Sequence, residues 1–266
     1  MNQKNKIAIL GCGWLGITLA KKLIKKNFLV KGSTTSFNKI DKIEAEKIEA
    51  HLLLVEEKKI TGNISDFLKN VKTLIINFPP SKTTLGKYSK KVQKIIGEVK
   101  KSNVKNILFV SSTSVYGHNE GIINYDCLPI PSSFRGKEIL KAEKIIQGFK
   151  NSCIIRFGGL IGIDRNPAIS LSNKKNVKNP DHPINLIHLD DCIGIILSII
   201  EKNIWGKVFL GVSPYHPNRK EFYNNQCKAL GLKEIYFSKI NVGLGKKIND
   251  QNISNELGYK FKRPKF

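Results

Sequence analysis

The sequence lacks several features that would assign it to a specialised class of protein. Its five cysteines are scattered along 266 residues without a CxxC or CxxH pair, which argues against a disulfide framework or a zinc knuckle. No apolar run approaches the roughly 20 residues that span a bilayer, so we expect no membrane association. The opening MNQKNKIAIL becomes apolar almost at once, which leaves no room for a secretory leader and predicts a cytoplasmic protein.

Acidic residues are scarce, with 21 of them against 45 lysines and arginines, and the formal net charge is +24. A charge of this size attracts polyanions such as nucleic acids. The lysines, however, follow amphipathic helix repeats such as KKLIKKN and KAEKIIQGFK, where they occupy the solvent side. The sequence has no basic tail, helix-turn-helix or RNP pattern. We therefore predict no specific nucleic-acid partner, while weak attraction of anionic small molecules stays open.

What the sequence does contain is a regular alternation of apolar runs and helix-patterned segments. This alternation predicts an α/β fold, a Rossmann-type doubly wound parallel sheet covered by helices on both faces. Two of the predicted helices cover residues 85–101 and 134–149. The predicted strands are KIAIL (6–10), FLVKGS (28–33), HLLLV (51–55), TLIINF (73–78), NILFVSS (106–112) and SCIIRF (152–157).

The alternation breaks after residue 157. Residues 158–183 are rich in Gly, Asn, Pro and Ser, and an apolar helix pattern then returns before a tail of loop, helix and strand. We predict a Rossmann domain formed by residues 1–157 plus 184–212. A small C-terminal α/β lobe, formed by residues 158–183 plus 213–266, is expected to be interleaved with it.

The first predicted strand leads directly into GCGWLG, a G-x-G-x-x-G motif at residues 11–16. Gly11 permits a tight turn, Gly13 lets the backbone approach a diphosphate, and Gly16 lets the following helix pack closely. The diphosphate would face the free N–H groups and the positive dipole of the helix N-terminus. Because the motif lies between a predicted strand and a predicted helix, it favours a dinucleotide site over an ordinary glycine-rich turn.

The end of the second predicted strand bears on the choice between NAD and NADP. An NAD site usually has an acidic residue there, which binds the ribose hydroxyls. The segment VKGSTTSFNK has no acid before Asp41. Its hydroxyls at Ser33, Thr34 and Thr35 can donate hydrogen bonds to a 2′-phosphate, and its lysines can supply positive charge. We therefore predict NADP, with NAD as the second choice, and a hydroxyl-rich helix start is the alternative interpretation.

The segment NFPPSKT (77–83) follows the fourth predicted strand, and in this fold the carboxyl ends of strands face the ligand crevice. Asn77 and Phe78 are therefore candidates to line that crevice, although Pro79 and Pro80 would equally end any strand. The full set of expected cofactor-binding residues is Gly11, Cys12, Gly13, Trp14, Leu15, Gly16, Ser33, Thr34, Thr35, Asn77, Phe78 and Ser111.

Four motifs occur in a characteristic order: GCGWLG, SSTSVYG (111–117), NLIHLDD (185–191) and NISNELGY (252–259). In this order they resemble those of extended short-chain dehydrogenases in the NAD-dependent epimerase/dehydratase superfamily. GCGWLG and SSTSVYG together are most similar to its atypical bacterial branch, the YeeZ-like proteins. The resemblance implies an oxidoreductase, epimerase or dehydratase acting on a small metabolite or sugar nucleotide. It also implies a monomer or a homodimer that pairs through helices such as 85–101 and 133–149.

The resemblance implies a catalytic serine at Ser112 and, about one helix later, a tyrosine and lysine in the pattern Y-x-x-x-K. In that pattern the lysine lowers the tyrosine pKa from its usual value near ~10, so that the phenol can exchange a proton near neutral pH. No tyrosine in this sequence is followed by lysine four positions later. Alignment on Glu143, which matches the family's glutamate, places Arg135 at the tyrosine position and Ile139 at the lysine position.

Any catalysis would then need a substitute for this pair. The candidate catalytic residues are Ser112, Tyr116 and Arg135. Tyr116 is the candidate acid or base, with loop packing as its alternative role, and Arg135 can hold a phosphate or carboxylate. A catalytically silent NADP(H)-sensing protein is the alternative function.

The five histidines have no paired spacing, so no metal site is predicted. His188 in NLIHLDD is expected to stand at the start of a helix, with Asp190 or Asp191 as its cap.

Overall fold

The computed structural model describes residues 5–80 and 87–266. Its helices are α1 (Trp14–Lys25), α2 (Ile40–Glu44), α3 (Ile64–Leu68), α4 (Tyr88–Val99), α5 (Phe134–Gln147), α6 (Pro167–Leu171), α7 (Leu189–Glu201), α8 (Arg219–Ala229) and α9 (Gln251–Leu257). Its strands are β1 (Lys6–Leu10), β2 (Leu29–Thr34), β3 (Glu49–Leu52), β4 (Leu54–Val55), β5 (Ile60–Thr61), β6 (Val71–Ile76), β7 (Asn106–Ser112), β8 (Gly121–Ile123), β9 (Ser152–Phe157), β10 (Gly159–Ile161), β11 (Leu186–His188), β12 (Lys207–Gly211) and β13 (Lys246–Ile248). Short 3-10 turns cover Phe37–Lys39 and Thr113–Tyr116.

The central sheet has seven strands in the order β12-β9-β7-β6-β1-β2-β3, and all neighbouring pairs are parallel. The chain builds outwards from β1 through β2 to β3, then returns to place β6 on the other side of β1. The strand order therefore reverses between β1 and β6, which is where doubly wound sheets form a ligand crevice at their carboxyl ends. The predicted Rossmann-type fold is confirmed.

Apolar side chains cover both faces of this sheet. Leu74 and Ile107 belong to the core beneath α3, α4 and α5, whereas Ile75 and Leu108 belong to the core beneath α1, α7 and α9. Successive strand residues point to opposite faces, so a strand that is buried on both sides must be apolar throughout. This requirement explains the continuous apolar runs of the central strands.

A third and smaller apolar cluster lies around α6 and α8, and Ala168, Phe222 and Cys227 are among its buried members. Two others, Ile184 and Leu186, come from the segment that sequence analysis assigned to the Rossmann domain. We propose that this cluster is the core of the small lobe formed by 158–183 plus 213–266.

The structure differs from the sequence-based prediction between residues 37 and 55. The segment FNKIDKIEAEKIEA (37–50) has the spacing and composition that predict one long helix. It instead forms a 3-10 turn followed by the short α2, because β3 pairs with β2 from Glu49 onwards. The expected strand HLLLV is divided, and its second half (β4) pairs antiparallel with β5. Pairing with a neighbouring strand here overrides local helix propensity.

Some predictions fall outside the described residues. These are residues 1–4 of the opening segment, 81–83 of NFPPSKT and 85–86 of the helix predicted at 85–101. The described part of that helix runs from Tyr88 to Val99. Across the described ranges, no helix is both long enough and apolar enough to cross a membrane.

All five cysteines are free thiols. Burial raises the pKa of Cys12 and of Cys153 to about 12, and it also raises the pKa of Cys192 and Cys227. Cys127, in the loop after β8, is half-buried.

Candidate functional site

The three glycines of GCGWLG have different surroundings. Gly11 has a φ of +108°, and a Cβ there would lie 3.1 Å from the backbone of Asn77 and Phe78. A Cβ on Gly16 would overlap the carbonyl oxygen of Gly11. At Gly13, by contrast, no described atom lies within 4 Å of where a Cβ would be. The outer two glycines therefore permit the turn and the close packing, while Gly13 faces open space that a ligand can fill.

The N-terminus of α1 lies at this open space. Gly13 is its N-cap residue, no side chain among the described residues caps it, and its first turn contains no acidic residue. The N–H groups of the first turn thus have no intrahelical partner and stay available to an external acceptor. Together with the helix dipole, they make this point an anion-binding position.

Two side chains hold the glycine loop in place. The Gly11 N–H donates to Ser33 Oγ at 3.0 Å, and the Cys12 N–H donates to the Ser33 carbonyl at 2.8 Å. Asn77 Nδ2 donates to the Gly11 carbonyl at 3.1 Å. Ser33 is only 3% exposed, so its hydroxyl is mainly a support for the loop and not a free donor.

A cavity of about 500 Å³, here called the β2-side cavity, lies between the carboxyl ends of β1 and β2 and is lined by Thr35, Lys39 and Lys91, among others. Lys91 comes from α4 and was not expected from the sequence. Lys31, the other lysine of the VKGSTTSFNK segment, is 3% exposed, and its Nζ lies 2.8 Å from Glu49 Oε1. Lys39 and Lys91, and not Lys31, therefore supply the positive charge of this cavity.

A second cavity of about 470 Å³, here called the β7-side cavity, lies beyond the carboxyl end of β7. It contains Ser111, Ser112 and Arg135, so the structure brings these three predicted site residues together. The residues common to both cavities are Gly13, Asn77, Phe78 and Pro79. The two cavities therefore form one cleft with Gly13 at its middle. Predicted cofactor residues that line it are Gly11, Cys12, Gly13, Trp14, Leu15, Ser33, Thr34, Thr35, Asn77, Phe78 and Ser111.

Ser112 ends β7 and its Oγ accepts the Ser114 N–H at 3.2 Å. This hydrogen bond starts the 3-10 turn Thr113–Tyr116 and still leaves the serine hydroxyl proton free to donate. Arg135, in the first turn of α5, is exposed and lines the same cavity.

Tyr116 does not lie on the cleft. The 3-10 turn carries its side chain into the core, where it is 0% exposed, and its hydroxyl accepts a hydrogen bond from Arg156 Nη1. Burial raises the pKa of Tyr116 above its usual range. A buried phenol of this kind cannot reach a ligand in the cleft, so its placement argues against the expected acid or base role and supports the packing alternative.

Beneath Ser111 lies a buried ion pair that sequence analysis missed. Arg156 Nη2 lies 2.7 Å from Glu143 Oε2, and Arg156 Nε also donates to this carboxylate at 3.0 Å. Ser111 Oγ donates to Glu143 Oε1 at 2.5 Å. The sequence feature that could have revealed this pair is the single arginine in the mostly apolar strand SCIIRF. This network fixes the end of β7, and with it the position of Ser112.

Two further residues of the β7-side cavity were also missed. Tyr88 is buried and donates its hydroxyl proton to the Phe78 carbonyl at 3.0 Å, and burial raises its pKa. Arg165 follows β10 and holds its guanidinium 5.1 Å from the ring centroid of Trp14.

The predicted helix cap at NLIHLDD needs correction. The N-cap of α7 is His188, whose Nδ1 accepts the Asp190 N–H at 3.1 Å, so neither aspartate caps the helix. Asp191 is 0% exposed and instead accepts hydrogen bonds from the Tyr259 hydroxyl at 2.8 Å and from the Lys262 N–H at 2.6 Å. Asp191 therefore anchors the C-terminal segment. Sequence analysis could not infer this role, because the hydrogen-bond partners of Asp191 lie far from it along the chain.

Glu49, His51 and Asp66 bring their ligand atoms within 4.8 Å of one another. The ammonium group of Lys31 already lies against Glu49 and donates to the Asp66 carbonyl at 2.6 Å. A cation would have to compete with this charge, so the trio is explained as an ion-pair cluster at the edge strand.

Comparison with known proteins identifies the family of the chain. No family model matches the chain. Protein YeeZ of Escherichia coli (strain K12) is 30% identical over 265 residues, which cover 97% of this chain and 96% of YeeZ. The chain belongs to the YeeZ family.

Solved structures share the fold of this YeeZ-like chain. UDP-glucuronic acid 4-epimerase from Bacillus cereus, in complex with NAD, superposes with a TM-score of 0.80 at 19% identity, covering 97% of this chain and 93% of the epimerase. A short-chain dehydrogenase/reductase superfamily protein from Agrobacterium tumefaciens, with bound NAD, has a TM-score of 0.79 at 13% identity, with 97% and 93% covered. At these identities the likeness establishes the fold alone.

Proposed function

We propose that this YeeZ-like protein binds NADP(H) in the cleft and acts as an NADP-dependent oxidoreductase, or epimerase or dehydratase, on a small metabolite or sugar nucleotide. The observation that carries the proposal is the open space at Gly13, which lies against the uncapped N-terminus of α1 and joins the two cavities. A dinucleotide has the matching shape, with a central diphosphate and a nucleoside on each side. The solved structures that share this fold and hold NAD support the same placement.

The charge of the β2-side cavity supports NADP over NAD. Lys39 and Lys91 both line it, and Thr35 adds an exposed hydroxyl. Over residues 5–80 and 87–266, none of the residues that line this cavity is acidic. A 2′-phosphate gains charge-assisted hydrogen bonds from such a set, whereas the ribose hydroxyls of NAD find no carboxylate to accept from them.

The β7-side cavity would receive the nicotinamide ring and the substrate. The bound cofactor supplies or accepts a hydride there. The protein's own residues orient the substrate: the Ser112 hydroxyl can donate to a substrate oxygen, and the Arg135 guanidinium can hold an anionic group. Phe78, Val110 and Phe157 give the cavity an apolar wall that restricts water around the reacting carbon.

Gly13→Ala tests the cofactor site. Because no described atom lies near the added methyl group, the variant should fold, at a cost of no more than about 1 kcal/mol for alanine at the N-cap. It should nevertheless lose NADPH affinity by roughly tenfold or more, about 1.4 kcal/mol. Gly97→Ala is the matched control, since Gly97 in α4 has equally open surroundings and does not line either cavity. The measurements are urea unfolding and fluorescence titration with NAD⁺, NADH, NADP⁺ and NADPH. Absence of saturable binding of all four forms by the folded wild type would refute the proposal.

The same titration tests the preference for NADP. Lys91→Gln and Lys39→Gln should each weaken NADPH binding by about tenfold while leaving NADH binding nearly unchanged. Lys94→Gln, on the same helix as Lys91 and outside the cavity lining, should alter neither. Equal losses for NADH and NADPH would instead indicate general attraction by the net positive charge.

A catalytically silent NADP(H)-sensing protein is the second candidate function. It is favoured by the chemistry of the β7-side cavity. The only tyrosine among its described lining residues is Tyr88, whose pKa is raised by burial and whose hydroxyl donates to the Phe78 carbonyl. Tight NADPH binding without NADPH oxidation, across panels of carbonyl compounds and sugar nucleotides, would favour this candidate over an enzyme.

A further inference from the structure

We infer that the β7-side cavity binds an oxyanion, the carboxylate or phosphate group of an anionic substrate, through Arg135 and Arg165 together. That the anion belongs to a substrate of the bound cofactor rests on the proposed function. The oxyanion site itself rests on the positions, supports and charges of the two arginines.

Arg165 is held in place by a tryptophan of the glycine motif. Its guanidinium lies 5.1 Å from the Trp14 ring centroid, a cation–π arrangement. The Trp14 indole N–H donates to Asp164 Oδ1 at 2.6 Å, and a Cβ on Gly162 would lie 2.8 Å from Trp14 Cζ2. The turn at residues 162–165 is closed by reciprocal backbone hydrogen bonds between Gly162 and Arg165 of 2.9 and 3.1 Å. Arg165 is therefore positioned over the start of α1, although it is exposed.

Arg135 reaches the same cavity from the opposite element. It stands in the first turn of α5, whose N-cap Ser133 accepts the Gly136 N–H at 3.0 Å. A Cβ on Gly136 would lie 2.6 Å from the Ser114 carbonyl oxygen, so the start of α5 packs directly on the 3-10 turn that follows Ser112. This packing places Arg135 beside the end of β7.

The two guanidinium groups lack a compensating carboxylate. None of the described residues that line the β7-side cavity is acidic. Among the ion pairs of the described residues, neither Arg135 nor Arg165 takes part. Glu143 is paired with Arg156 below the cavity. Asp164 keeps its charge while it accepts from Trp14, but it forms no ion pair with either arginine among the described residues.

Two arginines that share a cavity repel one another unless an anion lies with them. Each guanidinium offers a planar fork of donors that matches the two oxygens of a carboxylate or phosphate. The volume of about 470 Å³ suits a small ligand. Because Ser112 lines the same cavity, the anion would lie close to the position expected for the reacting carbon, and a small anionic metabolite is the substrate class that fits.

The test uses wild-type protein saturated with NADP⁺, so that the diphosphate position at Gly13 is already filled. Inorganic phosphate and malonate are titrated separately by calorimetry, and Trp14 emission provides a second readout. We expect saturable binding of at least one anion, and Arg135→Gln and Arg165→Gln should each weaken it by roughly tenfold or more. Whichever of phosphate and malonate binds more tightly identifies the anionic group.

Lys137→Gln is the matched control, because it removes one positive charge from the same turn of α5 at a position outside the cavity lining. It should bind both anions as the wild type does, and all three variants should keep the wild-type NADPH affinity and unfolding midpoint. The inference is overturned if neither anion binds saturably, or if Lys137→Gln weakens binding as much as Arg135→Gln. It is also overturned if Arg165→Gln weakens NADPH and not the anion, since Arg165 would then serve the cofactor.

The anion titrations also distinguish failure of the cofactor proposal from failure of the oxyanion site. If NADPH does not bind, the anion titrations are repeated on the protein without cofactor. Phosphate or malonate binding that still depends on Arg135 and Arg165 would sustain the oxyanion site while the cofactor proposal fails.

Discussion

Arg156 and Glu143 place opposite charges inside the protein, at 5% and 1% exposure. Removing two ions from water is costly, and the pair is stable only because the hydrogen bonds around it are satisfied. Here the guanidinium donates to the carboxylate and to the Tyr116 hydroxyl, and Ser111 donates to the same carboxylate. The network therefore behaves as a unit, in which removal of one member leaves the others unpaired.

We predict that Arg156→Met destabilises the protein by about 3–5 kcal/mol, because it leaves the Glu143 carboxylate buried without a partner. Urea unfolding measures the loss, and Arg219→Met, at a half-buried position where the guanidinium donates to the Lys178 carbonyl, should cost no more than about 1.5 kcal/mol. The double variant Glu143→Gln/Arg156→Met should recover part of the loss. Similar effects of Arg156→Met and Arg219→Met would mean that the buried pair contributes little.

The sequence alone could predict the roles of some site residues but not of others. The roles of Gly11 and Gly16 follow from backbone geometry that the motif itself requires, and their surroundings agree with it. Tyr116 illustrates the opposite case, since a single 3-10 turn after Ser112 decides whether its hydroxyl meets the cleft or the core. No local sequence pattern marks Lys91 or Arg165 as site residues, because only the tertiary fold brings α4 and the turn after β10 to the cleft.

Among the structural elements, the C-terminal segment after α9 is held by a buried carboxylate and by a hydrogen bond from Ser213 Oγ to the Pro264 carbonyl at 2.5 Å. Asp191 accepts from the Tyr259 hydroxyl and from the backbone N–H groups of Lys262 and Arg263, the last at 3.0 Å. The segment continues to Phe266, whose ring packs against Phe222 in the third apolar cluster. Asp191 thus connects α7 of the sheet layer to residues that contact the small cluster.

We predict that Asp191→Asn releases the segment after residue 258, since an amide has one acceptor oxygen in place of two and cannot satisfy all three donors. The expected cost is about 1.5–3 kcal/mol, the value of hydrogen bonds to a charged group. Faster amide exchange and proteolysis confined to residues 258–266 would measure it. Asp190→Asn is the control, because the Asp190 side chain is 43% exposed and its ion pair with Arg263 should contribute no more than about 1 kcal/mol. Equal effects of the two substitutions would contradict the anchoring role.

Strands were predictable from the sequence where burial on both faces of the sheet determines their composition. The bounds of β7 and β9 match the runs NILFVSS and SCIIRF, because strands covered on both faces must be apolar along their whole length. Between residues 37 and 55 the prediction failed, because the segment has helix-forming composition but lies beside the free edge of β2. Pairing with that edge is a long-range interaction that no local pattern contains.

At the scale of the whole molecule, burial raises the pKa of Tyr88, Tyr116, Tyr223 and Tyr259. In the unfolded chain a tyrosine ionises near pH ~10, so above that pH the folded state holds more protons than the unfolded state. Their contribution to stability is therefore fully present below pH ~10 and is lost as pH rises towards the folded-state pKa values.

We predict that the free energy of unfolding falls between pH 10 and 11, approximately, and that Tyr223→Phe makes this fall shallower. Tyr236→Phe is the control, because Tyr236 is 70% exposed. Lysine titration also changes the net charge in this range, but it does so equally in all variants and cancels in the comparison. Urea unfolding at several alkaline pH values provides the measurement, and a Tyr223→Phe curve parallel to the wild type would contradict the prediction.

The burial of four of the five thiols has a practical consequence for studying the cleft. Thiolates are the species that react with maleimides, and the raised pKa values keep Cys12, Cys153, Cys192 and Cys227 protonated at neutral pH. Cys127 alone is partly accessible, so a fluorescent dye can be attached there without first removing the others. The wild-type protein thus already carries a single position for site-specific labelling.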